Sequence, residues 1–316
     1  MKIVFLMDPL ETVIFEKDTS LSLMLGAHRR GHEVYFVGDG GISIKDGRVS
    51  FSALKVTPQP VKEQPLIRGE TVTFSGDDIG AVFVRSDPPF DAQYLMNTWL
   101  LDRLPACVPV INSPGGIRAV NEKIWATRFT SLIPKTVVSR NRGELLAFIA
   151  AEKDVVAKPT DGHGGKSVFR IQSGGMNVNV ILETLTVAWT REIVLQKYLA
   201  ASEQGDKRIL LLNGEPLGAV LRVHAEDDHR NNFFSGGKAA PASVDKQDEE
   251  IIRVLRPELL RLGLYFVGID VIGGQLIEVN VTSPTCLQEM NHFAAQHLED
   301  RVIAFAERLA SERQNQ

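Results

Sequence analysis

Asp270, Glu278 and Asn280 are hard oxygen donors gathered in one short stretch, Asp270-Val271-Ile272-Gly273-Gly274-Gln275-Leu276-Ile277-Glu278-Val279-Asn280. Ile269, Val271, Leu276, Ile277 and Val279 intersperse with polar residues, which predicts two short strands joined by a Gly-Gly hairpin turn. Glu278 and Asn280 lie two residues apart and so share a strand face, and the hairpin brings Asp270 across from them. Two carboxylates and an amide suit Mg²⁺ held together with phosphate oxygens better than a closed zinc site.

A second segment supplies the complementary charge. Lys158-Pro159-Thr160-Asp161-Gly162-His163-Gly164-Gly165-Lys166-Ser167 lies between the apolar runs Val155-Val156-Ala157 and Val168-Phe169-Arg170-Ile171, and therefore reads as the tip of a hairpin. Gly162, Gly164 and Gly165 allow backbone N–H groups to approach anionic oxygens, or else form an ordinary tight turn. This is not a P-loop, because the residues after Ser167 favour strand over helix. Lys158, at the strand end, can neutralise a phosphate as a point charge. Lys123, placed in a preceding helix, is either a second such charge or a solvated surface residue. His163 either contacts phosphate or only occupies the loop tip. Arg222, Arg230, Asn232 and Lys238 surround a polar segment, 224–237, that is either a second anion-binding loop or a solvated loop balanced by Glu226, Asp227 and Asp228.

These residues need elements to hold them. Strand Lys2–Met7, a helix from Ser20 to Arg30 and strand His32–Val37 give a strand–helix–strand start, hence an α/β organisation. Residues 38–77 show weak alternation that fits a meander or insertion. Strand Ile79–Val84, helix Ala92–Leu104 and strand Val108–Ile111 complete an N-terminal α/β unit, with Asn112-Ser113-Pro114-Gly115-Gly116 as its boundary. Beyond it, Asn121–Phe129 reads as an amphipathic helix, Thr136–Ser139 as an extended segment, Glu144–Ala150 as helix, and Val155–Lys158, Glu192–Gln196 and Arg208–Leu212 as strands. Asp248–Leu262 and Leu287–Leu309 carry helical periodicity.

Composition bounds the partners. With 316 residues, 44% of them hydrophobic, two or three domains are expected. A formal charge of −4 from 35 basic and 39 acidic residues spread along the chain argues against nucleic acid. Cys107 and Cys286 are the only cysteines, too few for a disulfide scaffold. No apolar run is long enough for a bilayer, and the strand-like start lacks a cleavage signal, so the expected location is cytoplasmic and the membrane is not an expected partner.

Lys123, Lys158, the glycine loop and Asp270/Glu278/Asn280, in this order, resemble the ATP-grasp superfamily and, within it, the bacterial glutathione synthetases. The resemblance spans nearly the whole chain. It includes Met7-Asp8-Pro9, Asp87-Pro88-Pro89-Phe90-Asp91, Asn121-Glu122-Lys123, Gly205-Asp206-Lys207-Arg208, Val267-Gly268-Ile269-Asp270 and Glu278-Val279-Asn280-Val281-Thr282-Ser283-Pro284-Thr285. It implies an N-terminal substrate domain (1–120) followed by a two-part ATP-grasp fold: a small subdomain with the glycine flap (121–198) and a large subdomain with the metal site (199–316).

The resemblance further implies ATP contacts from Lys123, Lys158, Gly162, His163, Gly164 and Gly165, with adenine near Gln196, Lys197, Tyr198 and Leu199. Asp206 would help hold the nucleotide, Arg208 and Asn232 would flank the phosphates and the reacting carboxylate, and Arg222 would orient the intermediate. Asp270, Glu278 and Asn280 would hold two Mg²⁺ ions, with Mn²⁺ able to substitute. Asp8, Ser20, Arg85, Thr282, Ser283, Pro284 and Thr285 would bind γ-glutamylcysteine and glycine in a homotetrameric enzyme. Two departures from the family pattern stand out: Ser86 replaces a lysine, and His163 replaces an apolar flap residue. Cys286 has no histidine base nearby in sequence and reads as a packing residue.

Overall fold

The computed structural model describes residues 1–162, 164–223 and 237–315. The chain first lays down β1 (Lys2–Leu6), α1 (Thr19–Arg29), β2 (Glu33–Val37), β3 (Ile42–Lys45), β4 (Arg48–Pro58), β5 (Leu66–Ser75), β6 (Ala81–Val84), α2 (Ala92–Leu101), β7 (Val110–Ile111) and α3 (Pro114–Ala119). The centre of this sheet is parallel, ordered β2-β1-β6-β7, and its strands are continuous apolar runs because both faces are covered. The weakly patterned stretch after β2 is an antiparallel meander. β4 pairs with β2 and β3 along one edge and with β5 along the other.

Next come β8 (Thr136–Ser139), α4 (Arg142–Glu152), β9 (Asp154–Pro159), β10 (Phe169–Gln172), α5 (Val178–Leu185) and β11 (Ile193–Lys197). They form an antiparallel sheet of order β10-β9-β11-β8, with Leu145 and Ile149 of α4 and Leu182 of α5 packed on Val155, Ala157 and Ile193. α4 starts where the Asn141 side chain accepts the Glu144 N–H.

The last unit contains β12 (Asp206–Leu212), β13 (Glu215–Val223), β14 (Lys238–Pro241), α6 (Lys246–Arg261), β15 (Phe266–Ile272), β16 (Gln275–Asn280), α7 (Leu287–Ala294) and α8 (Leu298–Gln314). Its antiparallel sheet runs β14-β13-β12-β15-β16. Successive residues of β12 serve opposite faces. Ile209 and Leu211 join Ile251, Leu255 and Leu259 of α6, whereas Leu210 and Leu212 join α8 and the β1 residues Ile3 and Phe5. The second face thus ties this sheet to the N-terminal domain.

Several sequence expectations change on folding. Asn121–Phe129 is not a helix but a turn followed by a short 3₁₀ segment, Trp125–Arg128, and Lys123 lies in the turn. The Asn121 carboxamide accepts the Lys123 and Ile124 N–H groups and fixes the turn locally. Leu287–Leu309 is two helices, since Ala295 adopts a left-handed φ of 50° and the Asn291 side chain accepts the Leu298 N–H at 2.9 Å, starting α8 afresh. α5 and β13 are elements that the sequence pattern did not disclose.

Candidate active site

A cavity of about 250 Å³ lies between the four-stranded and five-stranded antiparallel sheets. Its floor is set by register. Asp206 and Arg208 are two residues apart on β12; Arg222 of β13 stands opposite Asp206, and Asp270 of β15 stands opposite Arg208. Glu278 of β16 stands opposite Asp270, and Asn280 opposite Gly268. All six polar side chains line the cavity, and their strand positions continue the face that carries Leu210, Leu212 and Phe266 further along.

The predicted hairpin forms, with φ of 55° and 75° at Gly273 and Gly274, the positive values that its two-residue turn requires. Gly268 has a different reason. A Cβ there would come within 3.1 Å of Pro284 Cβ and 3.3 Å of Arg208 Cδ, tighter than ordinary contact, so a side chain would press on the arginine that reaches Asp270.

The floor is internally paired. Arg208 donates through Nε at 2.5 Å and Nη2 at 2.9 Å to the two Asp270 oxygens. Arg222 holds Asp206 with two 2.7 Å hydrogen bonds and reaches Asp270 Oδ2 at 2.9 Å. These pairs use Nε and Nη2 of each guanidinium and leave Nη1 outside them. Burial alone would raise the Asp270 carboxyl, but Arg208 and Arg222 outweigh it and hold the group well below the usual carboxylate range.

The opposite wall is sparser. Lys158 on β9 is 9% exposed and donates to Gln196 Oε1 at 2.9 Å, and Gln196 in turn donates to Thr136 Oγ1 at 3.1 Å. Burial pushes the Lys158 ammonium down to about 8. Lys123 bridges the walls, 3.3 Å from Glu278 Oε1 and hydrogen-bonded to the Gly162 carbonyl. Gly162, Gly164, Gly165, Lys197, Tyr198 and Leu199 line the same cavity, and the Arg170 guanidinium covers the Tyr198 ring at 3.6 Å.

A second cavity, about 240 Å³, adjoins the first, sharing Asp87, Ser283 and Thr285 with it. Asp8, Ser20 and Arg85 line it. Arg85 donates to Ser20 Oγ and to the Pro284 carbonyl, each at 3.0 Å. Thr282 lines the first cavity. The predicted residues His163 and Asn232, and the rest of segment 224–236, lie outside the described residues. Cys286 is buried, and burial raises its thiol, in keeping with a packing role.

Glu122 is a residue whose role the sequence reading did not assign. Its Oε1 accepts from Val281 N at 2.7 Å, Thr282 N at 3.0 Å and Thr282 Oγ1 at 2.9 Å, and its own carbonyl accepts from Val279 N. It clamps the strand end that carries Asn280. Its neighbour Lys123 was the available signal, but the partners are about 160 positions away in the chain and no local pattern reveals them.

Among the described residues, no three His, Cys, Asp or Glu side chains form a cation cage. The donor set is instead two carboxylates and one amide. Asp270 is kept ionised, and Asn280 donates through Nδ2 to Gly268 O and Asp270 Oδ2, leaving its Oδ1 outside those bonds. Such a partial oxygen set fits a hard dication whose other ligands are water and phosphate.

The architecture is an N-terminal α/β domain followed by a two-part ATP-grasp fold, a fold that binds ATP with Mg²⁺. Solved structures agree on the fold. The D-cycloserine synthetase DcsG superposes with a TM-score of 0.67 at 16% identity, covering 97% of this chain and 99% of the other. The ATP-grasp ligase PsnB, complexed with a minimal precursor, gives 0.65 at 17% identity, covering 97% and 98%.

Residues 1–118 match the prokaryotic glutathione synthetase N-terminal domain, and residues 122–295 match the prokaryotic glutathione synthetase ATP-grasp domain. The chain is 41% identical over 310 residues to a glutathione synthetase of Gloeobacter violaceus, covering 96% of this chain and 95% of the relative. It is 36% identical over 297 residues to the Escherichia coli K12 glutathione synthetase, with 92% of each covered. The chain belongs to the prokaryotic glutathione synthetase family.

Proposed function

We propose that this chain is an ATP-dependent ligase that joins the amine of glycine to the C-terminal carboxylate of γ-glutamylcysteine, releasing glutathione, ADP and phosphate. The observation that carries this reading is the meeting of the acidic row, its Asp270 kept ionised by Arg208 and Arg222, with Lys158 and Lys123 across one cavity, beside a second cavity headed by Arg85. The first suits a nucleotide's phosphates and the second an anionic peptide.

In this reading the peptide carboxylate attacks the γ-phosphorus of ATP. The bond from that phosphorus to the β,γ-bridging oxygen breaks, giving ADP and an acyl phosphate. Glycine's amine then attacks the acyl carbon, loses a proton and expels phosphate. No protein nucleophile is needed. Arg208 and Arg222, whose carboxylate partners hold them in place, stabilise charge as it moves onto oxygen, with Asn232 as the third member of this group. Lys123 and Lys158 neutralise the phosphates, Asp206 helps hold the nucleotide, and Gln196 to Leu199 receive the adenine.

Magnesium, when bound by Asp270, Glu278 and Asn280, spreads the negative charge of the phosphates and aligns them. Asp8, Ser20, Arg85 and the 282–285 segment orient the peptide and glycine. The 162–165 loop closes over the site and keeps water from the acyl phosphate. Two magnesium ions, substitution by manganese and a homotetramer rest on family membership alone. Mass detection of a Mg²⁺- and ATP-dependent product from γ-glutamylcysteine and glycine tests the reading, with other amines as competing acceptors. ATP binding without coupled ADP and peptide formation would overturn it.

A further inference from the structure

Ladder pairing of β16 ends at Asn280, opposite Gly268. Beyond it, the next two peptide groups are held by side chains of residues 112 and 122, from the segment that follows β7. The Val281 N–H donates to Glu122 Oε1 at 2.7 Å. The peptide group joining Val281 to Thr282 is held at both ends: its carbonyl accepts from Asn112 Nδ2 at 2.7 Å, and its N–H donates to the same Glu122 oxygen at 3.0 Å. Asn112 is itself fixed to β15, accepting from Phe266 N at 2.7 Å and donating to Phe266 O at 2.8 Å. A peptide group is planar, so anchoring both its donor and its acceptor removes its freedom to rotate.

This pivot separates two groups that face the first cavity. Asn280 precedes it, and Thr282 and Ser283 follow it. Val279 and Val281 are fully buried in the core and keep the strand in the sheet, but apolar burial is non-directional and does not set the rotation of the peptide groups. The Glu122 carboxylate does, and Thr282 Oγ1 is a third donor to it at 2.9 Å. Its chain neighbours hold other parts of the site. The Asn121 amide donates to the Thr160 carbonyl at 3.1 Å, and Lys123 donates to the Gly162 carbonyl and pairs with Glu278. One turn thus touches the stem of the glycine loop, the acidic row and the exit of β16.

We infer that Glu122 is a positioning residue for the reaction: through Oε1 it sets the path of residues 280–282 and so aims the Asn280 side chain and the 282–285 segment into one site. This rests on the proposed ligase reading, in which Asn280 holds magnesium and 282–285 orients the peptide and glycine. The role requires an acceptor oxygen at the reach of a glutamate. It does not require the negative charge, since the three donors to Oε1 are neutral N–H and O–H groups. A residue acting through its charge, or by taking a proton, would have the opposite requirement.

Glu122→Gln and Glu122→Asp separate the two requirements. The first keeps a carbonyl oxygen at the same reach without the charge; the second keeps the charge and withdraws it by about 1.5 Å, one carbon–carbon bond. Kinetics are read well below each variant's melting temperature, where a loss of stability alone leaves them unchanged. Glu122→Gln should keep kcat and the Mg²⁺ requirement close to wild type. Glu122→Asp should lose on the order of 10²-fold in kcat, the effect of displacing a positioned group by about 1 Å, and should need more Mg²⁺. Its KM for ATP at saturating Mg²⁺ should change little, because Lys158 and Gln196 lie on the other wall. Calorimetry gives the same contrast without turnover: the gain in ADP affinity on adding Mg²⁺ should persist in Glu122→Gln and shrink in Glu122→Asp. A fully active Glu122→Asp, or a Glu122→Gln as impaired as Glu122→Asp, would overturn the inference and leave the ligase reading intact. A wild-type enzyme that forms no product from γ-glutamylcysteine and glycine would overturn the ligase reading instead, and the calorimetric contrast would still decide the role of Glu122.

Discussion

The two walls of the first cavity solve the problem of buried charge in opposite ways. On the five-stranded sheet every buried charge meets its opposite: Arg208 with Asp270, and Arg222 with both Asp206 and Asp270. On the four-stranded sheet Lys158 is just as buried, yet among the described residues it has no ion pair, only the Gln196 amide, and its ammonium is pushed down to about 8. The first wall is a neutralised template whose geometry exists before any ligand arrives. The second is short of negative charge, which in the proposed reading a phosphate supplies. Preorganisation on one side and demand on the other let a ligand's charge join the walls, which is a physical reason for closure to follow binding.

The comparison is most directly broken at Asp270. Asp270→Asn leaves two buried guanidiniums sharing one remaining carboxylate. Stability should fall by ~3–5 kcal/mol, the cost of breaking a buried pair, and ADP release should fall at least ~10²-fold. Melting and single-turnover assays read both, and near-normal values in either would show that the template is not held by this carboxylate. Glu278→Gln should separate the two quantities, because among the described residues its only ion-pair partner is Lys123 at 3.3 Å. Turnover should drop ~10²-fold with a higher Mg²⁺ requirement and little change in melting; unchanged Mg²⁺-dependent turnover in the folded variant would remove Glu278 from the proposed ligands.

Lys158→Met sharpens the contrast from the other wall. Losing an unpaired buried cation should leave the melting temperature unchanged or higher, while KM for ATP rises ~10-fold or more. A large loss of stability would mean that Lys158 is structurally paired after all. The smallest effect is on pH dependence. Burial lowers the Lys158 ammonium, so the free enzyme holds its proton below about pH 8 and loses it above. kcat/KM for ATP should therefore decline as pH rises through about 8. Lys158→Arg should remove that limb, since guanidinium stays charged; a limb that persists would belong to another group.

Much of the floor was legible from sequence because it is local. Asp270, Glu278 and Asn280 sit on one hairpin, and period-2 alternation with a Gly-Gly turn is enough to place them on one face. The hairpin carrying Lys158 was readable for the same reason. Helical periodicity was less secure where side chains intervened in the backbone. Asn121 turned an amphipathic pattern into a turn, and Asn291 divided one periodic run into two helices. α5 and β13 show the converse, elements stabilised by what they pack against more than by their own pattern.

By itself the sequence determined which residues carry charge, which strands are amphipathic, and that hard oxygen donors, lysines and a glycine loop occur in an order resembling a known family. Only the tertiary structure decided that Arg208 and Arg222 both close on Asp270, that Glu122 clamps the end of β16, and that Arg85 and Glu289, far apart in the chain, line one cavity. These arrangements depend on which strands become neighbours and in what register. That choice is made by burial of apolar faces across the whole molecule, and no local stretch of sequence encodes it.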